Sequence, residues 1–456
     1  MKKPILLSIV ILLFIVSCSK KEELNTFKEG SLIKNELDIA LSELLTESSG
    51  GIGKSFFLLP ESTKFSQIPQ DPKNPLTIEK VELGKLLFHE TALSVNSKLK
   101  PFKHTYSCAT CHHHQAGFQS GKAQGISEGG VGFGIIGNAR EKDAMCPEDS
   151  LDIQPIHTPT VINSAYQKVM LWNGQFGATG PNIGTEALWA PGTPLETNFL
   201  GYEGIESQAI AGLSVHRMGL TTKLIYSTEY KKLFDLAFPD VPKNERYSIL
   251  TAGLAIAAYE RIVLANEAPF QKYLRGNTNA LTDVQKKGAI LFFGKAACVA
   301  CHTGPALNSM DFYAYGMNDL GGPGIYGNEP DIATKKGRGG FTGIESDNCK
   351  FKVPQLYSLS QAKFYGHGSS FTSLMDVVIY KNYAIKENSF VPDSHLADEF
   401  VPLGLSKSEI TFLSAFIENG LNDTELERYE PYSIPSGQCF PNNDEQSKID
   451  LGCILP

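Results

Sequence analysis

The chain has no surplus of positive charge, no apolar run long enough to cross a membrane, and few stretches that alternate apolar with polar residues. Lys and Arg number 41 against 49 Asp and Glu, for a formal net charge of -8 and an isoelectric point near 5.8. An acidic balance excludes a surface that tracks phosphates, so no nucleic-acid partner is expected, while a basic partner protein is compatible with it. The scarcity of alternation excludes an extensive sheet and leaves helix and loop. The longest apolar run, Pro4 to Val16 behind Lys2-Lys3, is too short to span a bilayer and reads as a signal peptide.

Against these absences stand two copies of Cys-x-x-Cys-His, Cys108-Ala-Thr-Cys111-His112 and Cys298-Val-Ala-Cys301-His302. Zinc would require a second ligand pair at a recognisable spacing, and neither motif has one nearby. A redox dithiol sits in a βαβ context, whereas Leu281 to Phe293, just before the second motif, reads as a helix opened by a Thr282/Gln285 capping box. The remaining chemistry is covalent c-type haem attachment: both thiols add across the porphyrin vinyl groups, and the adjacent His112 or His302 becomes the proximal iron ligand. Two covalently bound haems are therefore expected.

The nine cysteines sort around that assignment. Ile15-Val16-Ser17-Cys18 looks like a bacterial lipobox, with Cys18 the lipidated first residue of the mature chain and an ordinary signal peptide the alternative. A lipid on Cys18 would anchor the protein to a bacterial membrane, periplasmic or at the cell surface, without crossing it. Four cysteines hold haem, and Cys146, Cys349, Cys439 and Cys453 are left over. In an oxidising compartment these suggest up to two disulfides. Cys439 with Cys453 would close a C-terminal loop and Cys146 with Cys349 would bridge the halves, but three pairings exist, and free buried thiols are the alternative.

The two halves also echo one another. Gly84-Lys-Leu-Leu-Phe88 precedes the first motif and Gly288-Ala-Ile-Leu-Phe292 the second. Trp172, one of two tryptophans, stands 13 residues past Pro159, and His367 stands 13 past Pro354. Apolar spacing predicts helices over Ile33 to Leu45, Thr77 to Phe88, Thr222 to Phe238 and Arg246 to Leu264, and a Ser406/Glu409 capping box opens another that stops at Gly420. Gly-rich stretches, Gly117 to Gly137 and Gly316 to Gly343, read as loops. The expected fold is all-α: two cytochrome c-like domains, each around one covalently bound haem, with long loops and a duplicated organisation. The division is 1–17 signal peptide, 18–68 tether and N-terminal helix, 69–275 N-terminal haem domain, 276–425 C-terminal haem domain and 426–456 tail.

From about Pro69 to Asn422 the chain resembles the bacterial di-haem cytochrome c peroxidases and their relatives, the di-haem oxygenases that mature methylamine dehydrogenase. The likeness rests on Val81 to Phe88, Ser107 to His112, Thr158 to Asn163, Leu171 to Gly174, Gly294 to Pro305, Phe351 to Pro354 and Phe364 to Phe371. It implies that hydrogen peroxide reacts at the N-terminal haem and that the C-terminal haem takes electrons from a small soluble cytochrome c or copper protein. Trp172 takes the place of the inter-haem tryptophan. An oxygenase-like role toward a partner protein, or a non-catalytic electron carrier, are the rival functions, and the resemblance leaves room for a homodimer.

Several positions depart from the family pattern. Gln208 matches the distal glutamine, but the run into Met218 is His216-Arg217 with no carboxylate, so His216 is expected to move the proton and Arg217 to polarise the O–O bond. The only histidines between His112 and His157 are His113 and His114, which abut the proximal ligand, so the first haem is expected to keep an open sixth position. Gln208 stands 36 positions past Trp172, and the segment between them holds Glu186, Trp189 and Tyr202, an insertion that could cover the pocket or supply an acid. For the sixth ligand of the second haem the chain offers Met375, Tyr380 and Tyr383. Straight counting falls on Lys381, and Tyr380 is favoured. The family's calcium position carries His157, with Ala362 and Phe364 at the carbonyl positions; imidazole is a poor calcium ligand, so calcium stays in doubt.

Overall fold

The computed structural model describes residues 36–327 and 330–454; the signal peptide and Cys18 lie outside them. Helix α1 covers 36–48. The first half continues through α2 (Ile78–His89), α3 (Gly204–Val215), α4 (Thr222–Ser227), α5 (Tyr230–Ala237), α6 (Ile249–Ile262) and α7 (Pro269–Leu274). The second half holds α8 (Asp283–Phe293), α9 (Ile332–Lys335), α10 (Arg338–Thr342), α11 (Leu374–Tyr383) and α12 (Lys407–Ala415), with α13 (Glu445–Asp450) in the tail. Sheet among the described residues is confined to two antiparallel pairs, β1 (Gly130–Val131) with β2 (Glu141–Lys142) and β3 (Phe312–Tyr313) with β4 (Phe351–Lys352). The protein is mostly helical.

Local chemistry sets most helix starts. Thr282 and Ser406 form reciprocal capping boxes with Gln285 and Glu409, satisfying amides that have no partner within the helix. Two expectations fail locally. The single helix read over Thr222 to Phe238 breaks because Thr228 is extended and its hydroxyl donates to the Leu224 carbonyl at 2.6 Å, so a second helix must start at Tyr230. The stretch Gly316 to Gly343 is not all loop, since α9 and α10 form inside it.

The internal echo has a packing cause. Helix α2 lies along α6, and α8 lies along α12. A Cβ on Gly84 would stand 1.8 Å from the Ala255 carbonyl oxygen, and one on Gly288 would stand 2.0 Å from that of Phe412. Each glycine lets two helix backbones touch where any side chain would collide. Past each haem motif the chain closes a second matched loop, bridged Met170 to Phe176 in one half and Tyr365 to Phe371 in the other. Trp172 and His367 sit in those loops.

One buried cluster joins the halves, running from Leu41 and Leu45 through Leu87 and Tyr259 to Phe292, Leu413 and Phe416. The N-terminal helix of the 18–68 segment joins this core through Leu41 and Leu45 of α1. The tail is held as well. Cys439 pairs with Cys453, whereas Cys146 and Cys349 are buried free thiols in separate small clusters and do not bridge the halves. Within the closed loop, Asp450 accepts from the Phe133 and Gly134 amides at 2.7 and 2.8 Å, and Asp444 accepts from Gly132 at 3.0 Å, pinning the first Gly-rich loop.

Candidate haem sites

Both Cys-x-x-Cys motifs wind into a single 3-10 turn, Cys108–Thr110 and Cys298–Ala300, which brings the two thiols of each to one side of the chain. None of the four is in a disulfide, so all four thiols are left for haem attachment. His112 Nδ1 lies 3.2 Å from the Phe118 carbonyl, and His302 Nδ1 lies 3.2 and 3.0 Å from the carbonyls of Leu307 and Pro354. A ring N–H committed to a carbonyl leaves Nε2 as a bare donor, the arrangement that orients a metal-bound imidazole. Burial lowers both rings to about 4, which keeps them neutral. Gly125 completes the first cradle, because a Cβ there would stand 2.8 Å from Cys111 Sγ. The donor set fits c-type haem in both halves.

Around the first motif the fold supplies an acid that no residue beside Met218 provides. Helix α3 ends at Val215, and the next residue, His216, places Nδ1 3.0 Å from Asp152 Oδ2. Burial opposes the imidazolium, but the charge and hydrogen bond of Asp152 outweigh it, and the pKa of His216 is raised above 6.5. Asp152 is lowered despite burial, through His216 and through Ser127, whose hydroxyl donates to it. His216 is close enough to His112 for its charge to lower the His112 pKa. Its Nε2 has no hydrogen-bond partner among the described residues.

Arg217 does something other than expected. Its guanidinium donates to Glu128 Oε2 at 2.5 Å, to the Ser150 carbonyl at 2.8 Å and to the Leu151 carbonyl at 3.3 Å. With Glu128 fully buried, the pair clamps the loop that carries Asp152, and the guanidinium is not free to polarise a substrate. Gln208, about two turns before the end of α3, makes no side-chain hydrogen bond among the described residues. Glu260 on α6 is a further buried acid near Cys108; burial raises it to about 8, so it is neutral at pH 7. In the insertion, Glu203 and Glu206 are paired with Arg261. Glu186 is exposed and accepts from the Gly184 amide, Trp189 packs on Phe199, and Arg338 ties the segment down through Asn182 Oδ1 at 2.8 Å.

Trp172 lies where the halves meet. Its Nε1 donates to the His157 carbonyl at 2.8 Å, its own carbonyl accepts from the Lys352 amide at 2.7 Å, and its ring meets that of His367 edge-on at 6.3 Å. The two repeat counterparts thus touch each other. His157 has both nitrogens engaged, Nε2 with Gln119 Oε1 at 2.8 Å and Nδ1 with Ser369 Oγ at 2.9 Å, and the Ala362 carbonyl accepts from the Tyr365 hydroxyl. These groups do not fit calcium, and no role is assigned to that ion.

The second motif is faced by a different set. Tyr380, expected as the sixth ligand, is buried with Phe371 and Phe400, and its hydroxyl donates to the Tyr315 carbonyl at 2.6 Å. Met375 is 42% exposed on the first turn of α11, and Tyr383 is exposed at its end. Lys381, one residue beyond Tyr380, lies over the face of the Tyr315 ring and has no hydrogen bond or ion pair among the described residues. Burial drops its pKa to about 7, with Cys298 and Cys301 near enough to raise it and His302 near enough to respond to its charge.

A family model described as di-haem cytochrome c peroxidase matches residues 78–279. Cytochrome-c peroxidase IdrP1 of Pseudomonas sp. is 27% identical over 79% of this chain and 85% of its own length. Methylamine utilization protein MauG of Methylorubrum extorquens is 28% identical over 80% and 83%. Among solved structures, a MauG-like protein associated with microbial copper homeostasis shares the fold, with a TM-score of 0.55, 24% identity, and coverage of 81% of this chain and 95% of that one. Residues 78–279 match the di-haem cytochrome c peroxidase family, and over about four-fifths of its length the chain is similar to peroxidases and MauG proteins.

Proposed function

We propose that this protein reduces hydrogen peroxide to water at the His112 haem, drawing electrons through the His302 haem from a small soluble cytochrome c or copper protein. A bound haem supplies one-electron redox chemistry at an iron whose sixth position the protein controls. Each peroxide takes up two electrons and two protons and leaves as two waters, so the chain must deliver protons as well as hold haem. The observation that carries the reading is the His216–Asp152 pair. Asp152 fixes Nδ1 and favours the imidazolium, which leaves Nε2–H as a proton donor for the departing oxygen and, afterwards, a base that reloads. Arg217 and Glu128 act as positioning residues that hold Asp152 in place. Trp172 stands between the halves as the aromatic bridge, and Lys381 takes the place on the second haem that Tyr380 was expected to fill.

In this reading the chain is lipid-anchored through Cys18 at the periplasmic or cell-surface side, and divides into haem domains near 275. A second reading, oxidation of a partner protein, draws support from the exposure of Met375, the thioether expected as a candidate ligand on α11. Adding peroxide to holoprotein with a reduced cytochrome c separates the two. Rapid donor oxidation at two donors per peroxide is expected; peroxide-dependent oxidation of a partner protein without donor turnover would favour the second reading, and inertness would overturn both.

A further inference from the structure

Directly after the proximal ligand the chain carries two more histidines, and the peroxide chemistry uses neither. His113 and His114 are buried, with side chains 5% and 9% exposed, and both face Glu430, which enters from the tail at 21%. Glu430 Oε1 stands 3.4 Å from His114 Nδ1 and 4.0 Å from His113 Nε2, and one donor atom from each of the three residues lies within 4.8 Å of the others. The cluster is not satisfied internally. His114 Nδ1, the atom that faces Glu430, has no well-formed hydrogen bond, and the Glu430 carboxylate meets His114 Nδ1 and His113 Nε2 only at the long spacings just given. A mostly buried carboxylate whose nearest donors stand that far off, one of them an imidazole nitrogen without a well-formed hydrogen bond, is costly unless a cation draws the three groups together.

We infer that His113, His114 and Glu430 form a binding site for a divalent transition metal of the zinc class, separate from both haems. Two imidazole nitrogens and one carboxylate oxygen are the donor types zinc takes, whereas calcium requires mostly oxygen. Ligand bonds of about 2.0–2.1 Å put tetrahedral donors about 3.4 Å apart, so the two spacings to Glu430 Oε1 need shifts of well under 1 Å. The fourth position is left for water or for His89, a buried imidazole in electrostatic reach of His114 and Glu430, whose Nδ1 is already committed to the Lys85 carbonyl at 2.8 Å. A metal here would tie the tail to the loop that carries His112. Contact between the turns His114–Ala116 and Leu426–Tyr429 already brings the two segments together.

The test uses the holoprotein, stripped by dialysis against chelator and then titrated with Zn(II) alone. One tight zinc per chain beyond the two haem irons is expected, with a zinc-dependent rise in melting temperature. Glu430→Gln keeps the shape of the side chain and should weaken zinc by roughly 100-fold while the haem absorption spectrum stays as it was. His114→Asn should do the same. X-ray absorption at the zinc edge of the loaded wild type reads the ligands without any variant, and two imidazoles with oxygen at about 2.0–2.1 Å are expected. Absence of tight zinc, affinity unchanged in both variants, or a zinc shell with fewer than two imidazoles would overturn the site.

Discussion

In the first half α2 rests on α6 at Gly84 and His112 leans on the Phe118 carbonyl; in the second, α8 rests on α12 at Gly288 and His302 leans on the carbonyls of Leu307 and Pro354. Attachment is thus repeated almost part for part. What approaches each motif is not repeated. One side has a histidine held by a buried aspartate; the other has a lysine with no acid to pair with among the described residues and a tyrosine turned into the aromatic cluster. A duplicated scaffold can keep the covalent chemistry constant while a few side chains on α3, α11 and one loop divide the labour between proton delivery and electron entry.

The largest effect expected from breaking this comparison is at His216. His216→Leu removes the proton carrier and should slow peroxide consumption by roughly 10²–10⁴-fold in steady-state assays, with haem content and the second haem's spectrum unchanged. A loss below tenfold would place the acid elsewhere, with Glu260 the next group to test.

Next in size are the two helix contacts. Gly84→Ala and Gly288→Ala each force a methyl onto a backbone carbonyl and should cost about 1–3 kcal/mol in denaturant unfolding. Similar losses are expected, because the clash is alike at 1.8 and 2.0 Å. A large cost at one glycine and none at the other would mean the repeat is only a likeness of sequence.

The smallest effect is a change of pH dependence. Asp152→Asn removes the charge that raises His216 and leaves burial, which lowers it, so the limb of the rate profile that requires the imidazolium should move to lower pH. Stability follows the same sign. Because the folded pKa of His216 is raised, its contribution is complete below about 6.5 and is lost as pH rises through the raised value. Asp152, lowered in the folded state, contributes above the ordinary aspartate value and loses that contribution as pH falls through its depressed one. A rate profile identical in wild type and Asp152→Asn would separate His216 from the proton step.

Features built from neighbours in the chain are legible in the amino-acid order itself: both haem motifs, the Thr282 and Ser406 caps, and the paired glycines, whose echo is a shared backbone contact. Features built by the chain returning on itself are not. Asp152 and His216 are 64 positions apart and Glu128 and Arg217 are 89, and acids in a Gly-rich loop carry no periodicity that would announce them. The choice between Tyr380 and Lys381 turns on geometry: one residue on an α-helix is about 100° of rotation, so a one-residue shift in counting sends the side chain to another face. The break at Thr228 comes from a side chain competing for a helix carbonyl, which apolar spacing does not register.

The unlike surroundings of the two irons can be read directly by paramagnetic resonance of the fully oxidised holoprotein, with Lys381→Ala beside the wild type. One high-spin iron, from the His112 site with its sixth position open, and one low-spin iron with two nitrogen ligands are predicted, and the substitution should alter the low-spin signal alone. Two low-spin irons in the wild type, or a low-spin signal that Lys381→Ala leaves untouched, would contradict it.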